Sequence, residues 1–141
     1  MQRPAALAVA LSIVSFPFLL PHVVEDFHWG IADRIGVPPD ALAALVGLVL
    51  ATQVFGVALA ARERRTGLTL IALTGAVWTV GAIWDHGMAV LVFGFGFRGR
   101  PMSTVWVMGL TLTQALASAT ALVALVRGPS GSRAPRPPWP R

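Results

Sequence analysis

The 141-residue sequence contains no cysteine, no lysine and no tyrosine, and only 12% of its residues are charged. The absence of cysteine excludes disulfides, thiolate metal sites, cysteine nucleophiles and iron–sulfur clusters. The charged fraction is about half of the roughly 25% that is usual in soluble domains, whereas hydrophobic residues reach 55%. A domain this small could not cover its large surface in water with so few polar side chains. The composition therefore argues against a soluble globular enzyme, and it excludes disorder of the whole chain.

Four long apolar runs make up most of the sequence, and they cover about residues 5–24, 41–61, 67–93 and 102–126. Each run reaches the ~20 residues that a helix needs to cross a hydrocarbon core of ~30 Å. The first run lacks the small-residue exit of a cleaved signal peptide, so we expect it to be retained. The sequence therefore predicts an all-α integral membrane protein, a four-helix bundle within residues 1–126.

The eleven basic residues are all arginines, and their distribution predicts the orientation of the bundle. Eight lie before the first span, between the second and third, or after the fourth, and the other three are Arg34, Arg98 and Arg100. Because positive loops tend to stay in the cytoplasm, we expect both termini to be cytoplasmic. Topology also accounts for the net charge of +5, so no nucleic-acid partner is expected. The absence of lysine is typical of a GC-rich bacterial genome, which suggests the bacterial inner membrane.

Residues 127–141 form a separate region with five prolines and four arginines. Such a composition cannot form a packed element, and it predicts a disordered cytoplasmic tail. Anionic lipid should attract this tail by ~1 kcal/mol for each basic residue near the membrane surface.

Small and polar residues within the spans predict how the helices associate, because lipid gives apolar helices no reason to cluster. Gln53 and Gln114 lie at one depth in two parallel spans, so we expect a hydrogen bond between them, or a polar cavity that they line. Pro17 and Pro21 should kink or end the first helix. Small residues four apart predict close packing within the chain, in a homo-oligomer or in a membrane complex: Gly47 with Ala51, Gly56 with Ala60, Ala115 with Ala119, and Ala117 with Ala121.

Two polar clusters interrupt the apolar pattern, and each combines histidine with carboxylate. They are His22-Val23-Val24-Glu25-Asp26-Phe27-His28 and Asp85-His86. His22 lies 18 residues beyond Pro4, and Asp85 lies 18 residues beyond Gly67, which places both about 27 Å along parallel helices. We therefore expect the two clusters to meet at one depth, near the outer interface.

These side chains could supply three or four ligands to a divalent metal ion, and the expected set is His22, Glu25, Asp26, Asp85 and His86. Imidazole and carboxylate together suit zinc, manganese or iron. On the first helix, His22 shares a face with Glu25 and Asp26. Between the helices, we expect Asp85 to contact His22, or His86 to contact Glu25.

Other functions fit the same residues. A histidine beside a carboxylate can take and release protons near neutral pH, and so couple to a small solute. In a membrane enzyme that acts on a lipid-like substrate, Glu25 or Asp85 would be the catalytic acid or base. The small-residue faces would suit a structural or assembly subunit of a membrane complex. In the simplest interpretation, the clusters are only solvated helix ends.

Aromatic residues gather near the predicted outer ends of the spans and predict an interfacial belt. Within this belt, Phe-Gly-Phe-Gly-Phe at residues 93–97 is expected to form a loop that dips its rings into the interface.

The stretch His22-Val23-Val24-Glu25-Asp26 resembles the H-x-x-E-E signature of the HXXEE-domain family of small bacterial membrane proteins. Asp26 stands where that signature has a second glutamate. The resemblance implies an integral membrane protein whose His22, Glu25 and Asp26 form its site, and it implies no particular activity. The four-helix layout also resembles the emopamil-binding (EXPERA) group, whose enzymes isomerise sterols with intramembrane acids. That second resemblance implies an isomerase-like activity as the alternative.

Overall fold

The computed structural model describes residues 3–127, and these residues form helices and short connections without a strand. Four helical segments are long and apolar enough to cross a membrane: Arg3–His28, Pro39–Ala61, Arg65–Gly99 and Pro101–Arg127. The predicted all-α fold with four such segments is therefore confirmed, and most of the segments extend a few residues further than predicted. The predicted tail lies outside the described residues, except that Arg127 belongs to the last helix.

The described chain forms α1 (Arg3–Val14), α2 (Phe16–His28), α3 (Ile31–Ile35), α4 (Pro39–Ala61), α5 (Arg65–Phe93) and α6 (Pro101–Arg127). A 3-10 segment, Gly94–Gly99, joins α5 to α6. The start of α1, the α4–α5 turn and the end of α6 lie together at one end of the bundle, which we call the termini end. A hydrogen bond of 2.6 Å from Arg65 Nη2 to the Leu125 carbonyl oxygen joins two of these elements. We call the opposite end, with α3 and the 3-10 segment, the cluster end.

The first span is divided into α1 and α2 at Ser15, although the backbone of Ser15 keeps helical angles (φ −69°, ψ −26°). The Ser15 hydroxyl donates a hydrogen bond of 2.7 Å to the carbonyl oxygen of Ser12. Pro17 lies in the first turn of α2, where a helix does not need the missing N–H group. Pro21 lies inside α2, which nevertheless continues to His28. The prolines therefore accompany an interruption but do not end the span, so the polar cluster of α2 is helical throughout.

Glycine allows α4 and α5 to approach closely near the termini end. A Cβ atom on Gly67 would overlap the backbone nitrogen of Ala60 and would lie 2.6 Å from the carbonyl oxygen of Gly56. The predicted packing of small residues is correct for two pairs, Gly56–Ala60 and Ala117–Ala121, which are buried. Gly47, Ala51 and Ala119 are exposed in this chain, so the packing predicted for them does not occur within the chain.

A layer of polar side chains crosses the middle of the bundle and joins all four spans. Gln114 Nε2 donates to Gln53 Oε1 at 3.2 Å, which is the bond that the sequence predicts. Gln53 Nε2 also donates to the hydroxyls of Ser12 and Ser15 at 3.1 and 3.2 Å. The indole nitrogen of Trp78 donates to Gln53 Oε1 at 2.9 Å. These bonds fix the register of the helices, because apolar contact alone gives them little specificity in lipid.

Apolar side chains fill the bundle on both sides of this polar layer. Toward the termini end they are Ala8, Ala60, Ile71, Ala72, Ala117 and Ala121, which are all small except Ile71. Toward the cluster end they are Leu19, Ala82 and Leu110. There α2 packs mainly on α6, and a cavity lies between α2, α4 and α5. The cluster end is therefore the part of the bundle with room for a site.

Candidate metal-binding cluster

Two helices bring ionisable side chains together inside the cluster end. His22, Glu25 and Asp26 project from α2, and Asp85 and His86 project from α5. Four of these five are buried, and His86 is only 1% exposed. The two clusters therefore meet at one level of the bundle, as helix length predicts. The interpretation as solvated helix ends does not fit the four buried side chains, whereas Asp85 is half-buried and His28 of the first cluster is exposed.

Asp26 lies between the two imidazole rings and contacts both. His22 Nε2 lies 3.3 Å from Asp26 Oδ2. His86 Nε2 lies 3.1 Å from Asp26 Oδ1 and 3.3 Å from Oδ2. The ring centroids of the two histidines are 5.0 Å apart, and the rings are nearly perpendicular. One ligand atom from each of the three side chains lies within 4.8 Å of the other two. We call His22, Asp26 and His86 the triad.

Glu25 is buried but turns away from the triad toward α6. Ser103 donates a short hydrogen bond to Glu25 Oε1, and Arg98 Nη1 lies 3.4 Å from Glu25 Oε2. Arg98 Nη2 also donates to Asp26 Oδ1 at 2.7 Å. The expected contact of His86 with Glu25 is therefore replaced by a contact with Asp26, and Glu25 contacts Arg98 and Ser103 instead of joining the triad.

Asp85 lies at the rim of the cluster. Its Oδ2 accepts a hydrogen bond of 3.0 Å from Arg34 Nη2 and lies 3.2 Å from His86 Nε2. Neighbouring residues on a helix point about 100° apart, so His86 faces Asp26 while Asp85 faces Arg34 on α3. The expected contact of Asp85 with His22 is replaced by this ion pair, and Asp85 lies outside the triad.

Arg98 is the most important residue of the site that sequence reasoning does not find. It has a left-handed backbone conformation (φ 55°) within the 3-10 segment, which turns its guanidinium into the bundle. Phe97 beside it is buried, with its ring centroid 5.4 Å from that of His86. The belt prediction is therefore wrong for Phe97, which covers the site. The feature of the sequence that could have indicated Arg98 is electrostatic. Three carboxylates expected at one depth need cations nearby.

The cluster carries a small net negative charge when its histidines are neutral. Its three carboxylates belong to Glu25, Asp26 and Asp85, and its two guanidiniums belong to Arg34 and Arg98. Three carboxylates and two guanidiniums leave a net charge of −1, which favours the binding of a cation.

Two of the three distances between the ligand atoms of the triad match the spacing of metal ligands. A tetrahedral ion with bonds of about 2.0–2.1 Å holds its ligand atoms about 3.3–3.4 Å apart. Asp26 Oδ2 lies 3.3 Å from the Nε2 atoms of both His22 and His86. Three protein ligands leave the fourth position of the ion for water or substrate, as in catalytic zinc sites. Two histidines and one carboxylate are also the ligands of many iron(II) sites.

A partly open cavity of about 130 Å³ adjoins the triad. Its polar lining consists of His22, Asp26, Asp85 and His86. The rest of its wall is mainly apolar and includes Leu42, Val46, Trp78, Ala82 and Leu110. The cluster therefore borders a space that a small molecule can enter.

No family model, curated protein or solved structure matches this chain. The resemblance to the HXXEE-domain family therefore stays a hypothesis that rests on residues 22–26.

Proposed function

We propose that this chain is a small multi-pass membrane protein whose triad binds a divalent metal ion, with zinc the best fit. The observation that carries the proposal is the convergence of His22, Asp26 and His86, whose candidate ligand atoms all lie within 4.8 Å of one another. Burial of all three side chains and the net negative charge of the cluster support it. The absence of cysteine makes ions that require thiolate unsuitable.

Metal titration tests this proposal directly. Detergent-purified protein, stripped with chelator, is expected to bind about one equivalent of Zn²⁺ in calorimetry and elemental analysis. His22→Gln removes one ligand and leaves the Arg98–Asp26 ion pair in place. We expect it to weaken affinity about 100-fold or more, since loss of a group that only supports a ligand already costs about 10–100-fold.

His28→Gln is the matched control, because His28 lies on the same helix and is exposed. We expect its Zn²⁺ affinity to equal that of the original protein. Equal affinities of the His22→Gln and His28→Gln proteins, or the absence of binding in all of them, would show that the triad is not a metal site.

We also propose that the protein lies in the cell membrane, with both termini in the cytoplasm and the triad near the outer face. Of the three arginines assigned to the outer side, Arg34 and Arg98 are paired with carboxylates. The proposed orientation rests on the count of eight arginines on one side against three on the other, since acidic residues contribute little to the positive-inside bias.

The absence of native cysteine makes a labelling test of orientation straightforward. Asp33→Cys places a thiol on an exposed site of α3, and Arg62→Cys places one in the exposed α4–α5 turn. A membrane-impermeant maleimide applied to intact cells is expected to label Asp33→Cys but not Arg62→Cys. Labelling of Arg62→Cys alone would reverse the orientation, and equal labelling of both before permeabilisation would contradict a spanning bundle.

The cavity favours one second candidate, a membrane enzyme that acts on a small lipid-like substrate. Of the two carboxylates expected to act as acid or base, Asp85 lines the cavity, whereas Glu25 is held by Arg98 and Ser103 outside its lining. In this candidate Asp85 would exchange the proton.

A further inference from the structure

The cavity has one polar end and one apolar wall, which is the arrangement of a site for a small amphiphilic molecule. The triad and Asp85 form the polar end. Trp78 contributes to the wall while its indole nitrogen donates to Gln53 in the polar layer, so this wall residue is fixed in place. We propose that the cavity binds a small apolar alcohol, with its hydroxyl group at the triad. The choice of a hydroxyl group rests on the proposed metal site.

The volume limits the size of the ligand. An apolar cavity of about 150 Å³ in another protein takes up benzene, and this cavity measures about 130 Å³. Because it is partly open, it suits a molecule of about six to eight non-hydrogen atoms, such as a phenyl ring with a short polar arm. A larger compact molecule would require the helices to separate.

The charges at the polar end select the head group. Asp26 and Asp85 disfavour an anionic head, and the guanidiniums of Arg34 and Arg98 are already paired with carboxylates. A divalent ion at the triad would lie beside the head group and would repel an ammonium group. A neutral hydroxyl group avoids both penalties, since it donates to a carboxylate and offers oxygen to the ion.

Gly81 offers a way to fill the cavity without disturbing the helices. It lines the cavity, and a Cβ atom added to it would meet no atom within 4 Å. Gly81 is also exposed, so it lies at the open side of the cavity, and Gly81→Leu should obstruct the space of the ligand from there. Gly47→Leu is the matched control, because a Cβ atom there also meets nothing and Gly47 does not line the cavity.

The experiment follows 4-fluorobenzyl alcohol by ¹⁹F NMR in the presence of the detergent-purified protein, first without metal and then loaded with Co²⁺ as a paramagnetic substitute for zinc. In the original protein and in Gly47→Leu, we expect saturable broadening of the fluorine signal and added relaxation from Co²⁺. In Gly81→Leu we expect binding to be weakened at least tenfold while Co²⁺ still binds. 4-Fluorobenzoate and 4-fluorobenzylamine are expected to bind the Co²⁺-loaded protein at least tenfold more weakly than the alcohol.

The outcomes separate this inference from the proposed function. If Co²⁺ binds and the alcohol binds Gly81→Leu and Gly47→Leu equally, the cavity is not its site. Stronger binding of the amine or the benzoate overturns the assignment of the head group. If Co²⁺ does not bind but the alcohol binds in a manner that Gly81→Leu abolishes, the metal proposal fails and the cavity site stands.

Discussion

Replacing Arg98 with methionine is expected to lower the free energy of unfolding by about 3–5 kcal/mol, because it leaves buried carboxylates without their cation. The guanidinium lies within 2.7 Å of Asp26 and 3.4 Å of Glu25. Only 7% of the Arg98 side chain is exposed, so water cannot take over its role. The measurement is unfolding by denaturing detergent, followed by circular dichroism.

Arg100→Met is the control for this experiment, because Arg100 lies two residues away in the same connection and is exposed. We expect it to leave the stability unchanged. The double variant Arg98→Met with Glu25→Gln should regain part of the loss, since it removes one of the unpaired charges. Equal stability of the two arginine variants would contradict the ion-pair geometry described above.

Replacing Gly67 with leucine is expected to destabilise the bundle by about 3 kcal/mol or more, because overpacking here cannot be relieved by a side-chain rotation. The atoms that a Cβ would meet are backbone atoms of Gly56, Leu59 and Ala60 on α4. Relief requires α4 and α5 to move apart along their whole contact. Thermal unfolding, monitored by size-exclusion chromatography of the detergent-solubilised protein, measures the effect.

Gly47→Leu makes the same chemical change on α4, where the added side chain meets open space. Its melting temperature should match that of the original protein. A similar fall in both variants would mean that leucine disturbs the spans through lipid contact rather than through the α4–α5 interface.

The sequence predicts much of this fold because hydropathy and helix length need no tertiary information. Counting residues from Pro4 and Gly67 brings His22 and Asp85 to one level, since the rise per residue of a helix is constant. The Gln53–Gln114 bond follows from the same reasoning. These predictions succeed because each depends only on distance along an axis.

The rotation of each helix about its own axis is harder to predict, and the contacts that were predicted wrongly depend on that rotation. Asp85 and His86 are adjacent, so a small change in helix rotation decides which of them faces Asp26. Arg98 depends on a turn with a left-handed non-glycine residue, which few sequences adopt and which local pattern does not reveal. The cavity arises from the separation of α2 from α4 and α5, which is a property of the whole packing arrangement.

The alanine-rich packing at the termini end determines whether an ion or a small molecule can pass through the bundle. Ala8, Ala117, Ala121 and Ile71 are completely inaccessible to solvent, and they close the bundle below the polar layer. An ion or alcohol that entered the cavity at the cluster end would have to leave through the same opening. We therefore expect planar-bilayer recordings to detect no conductance through this conformation.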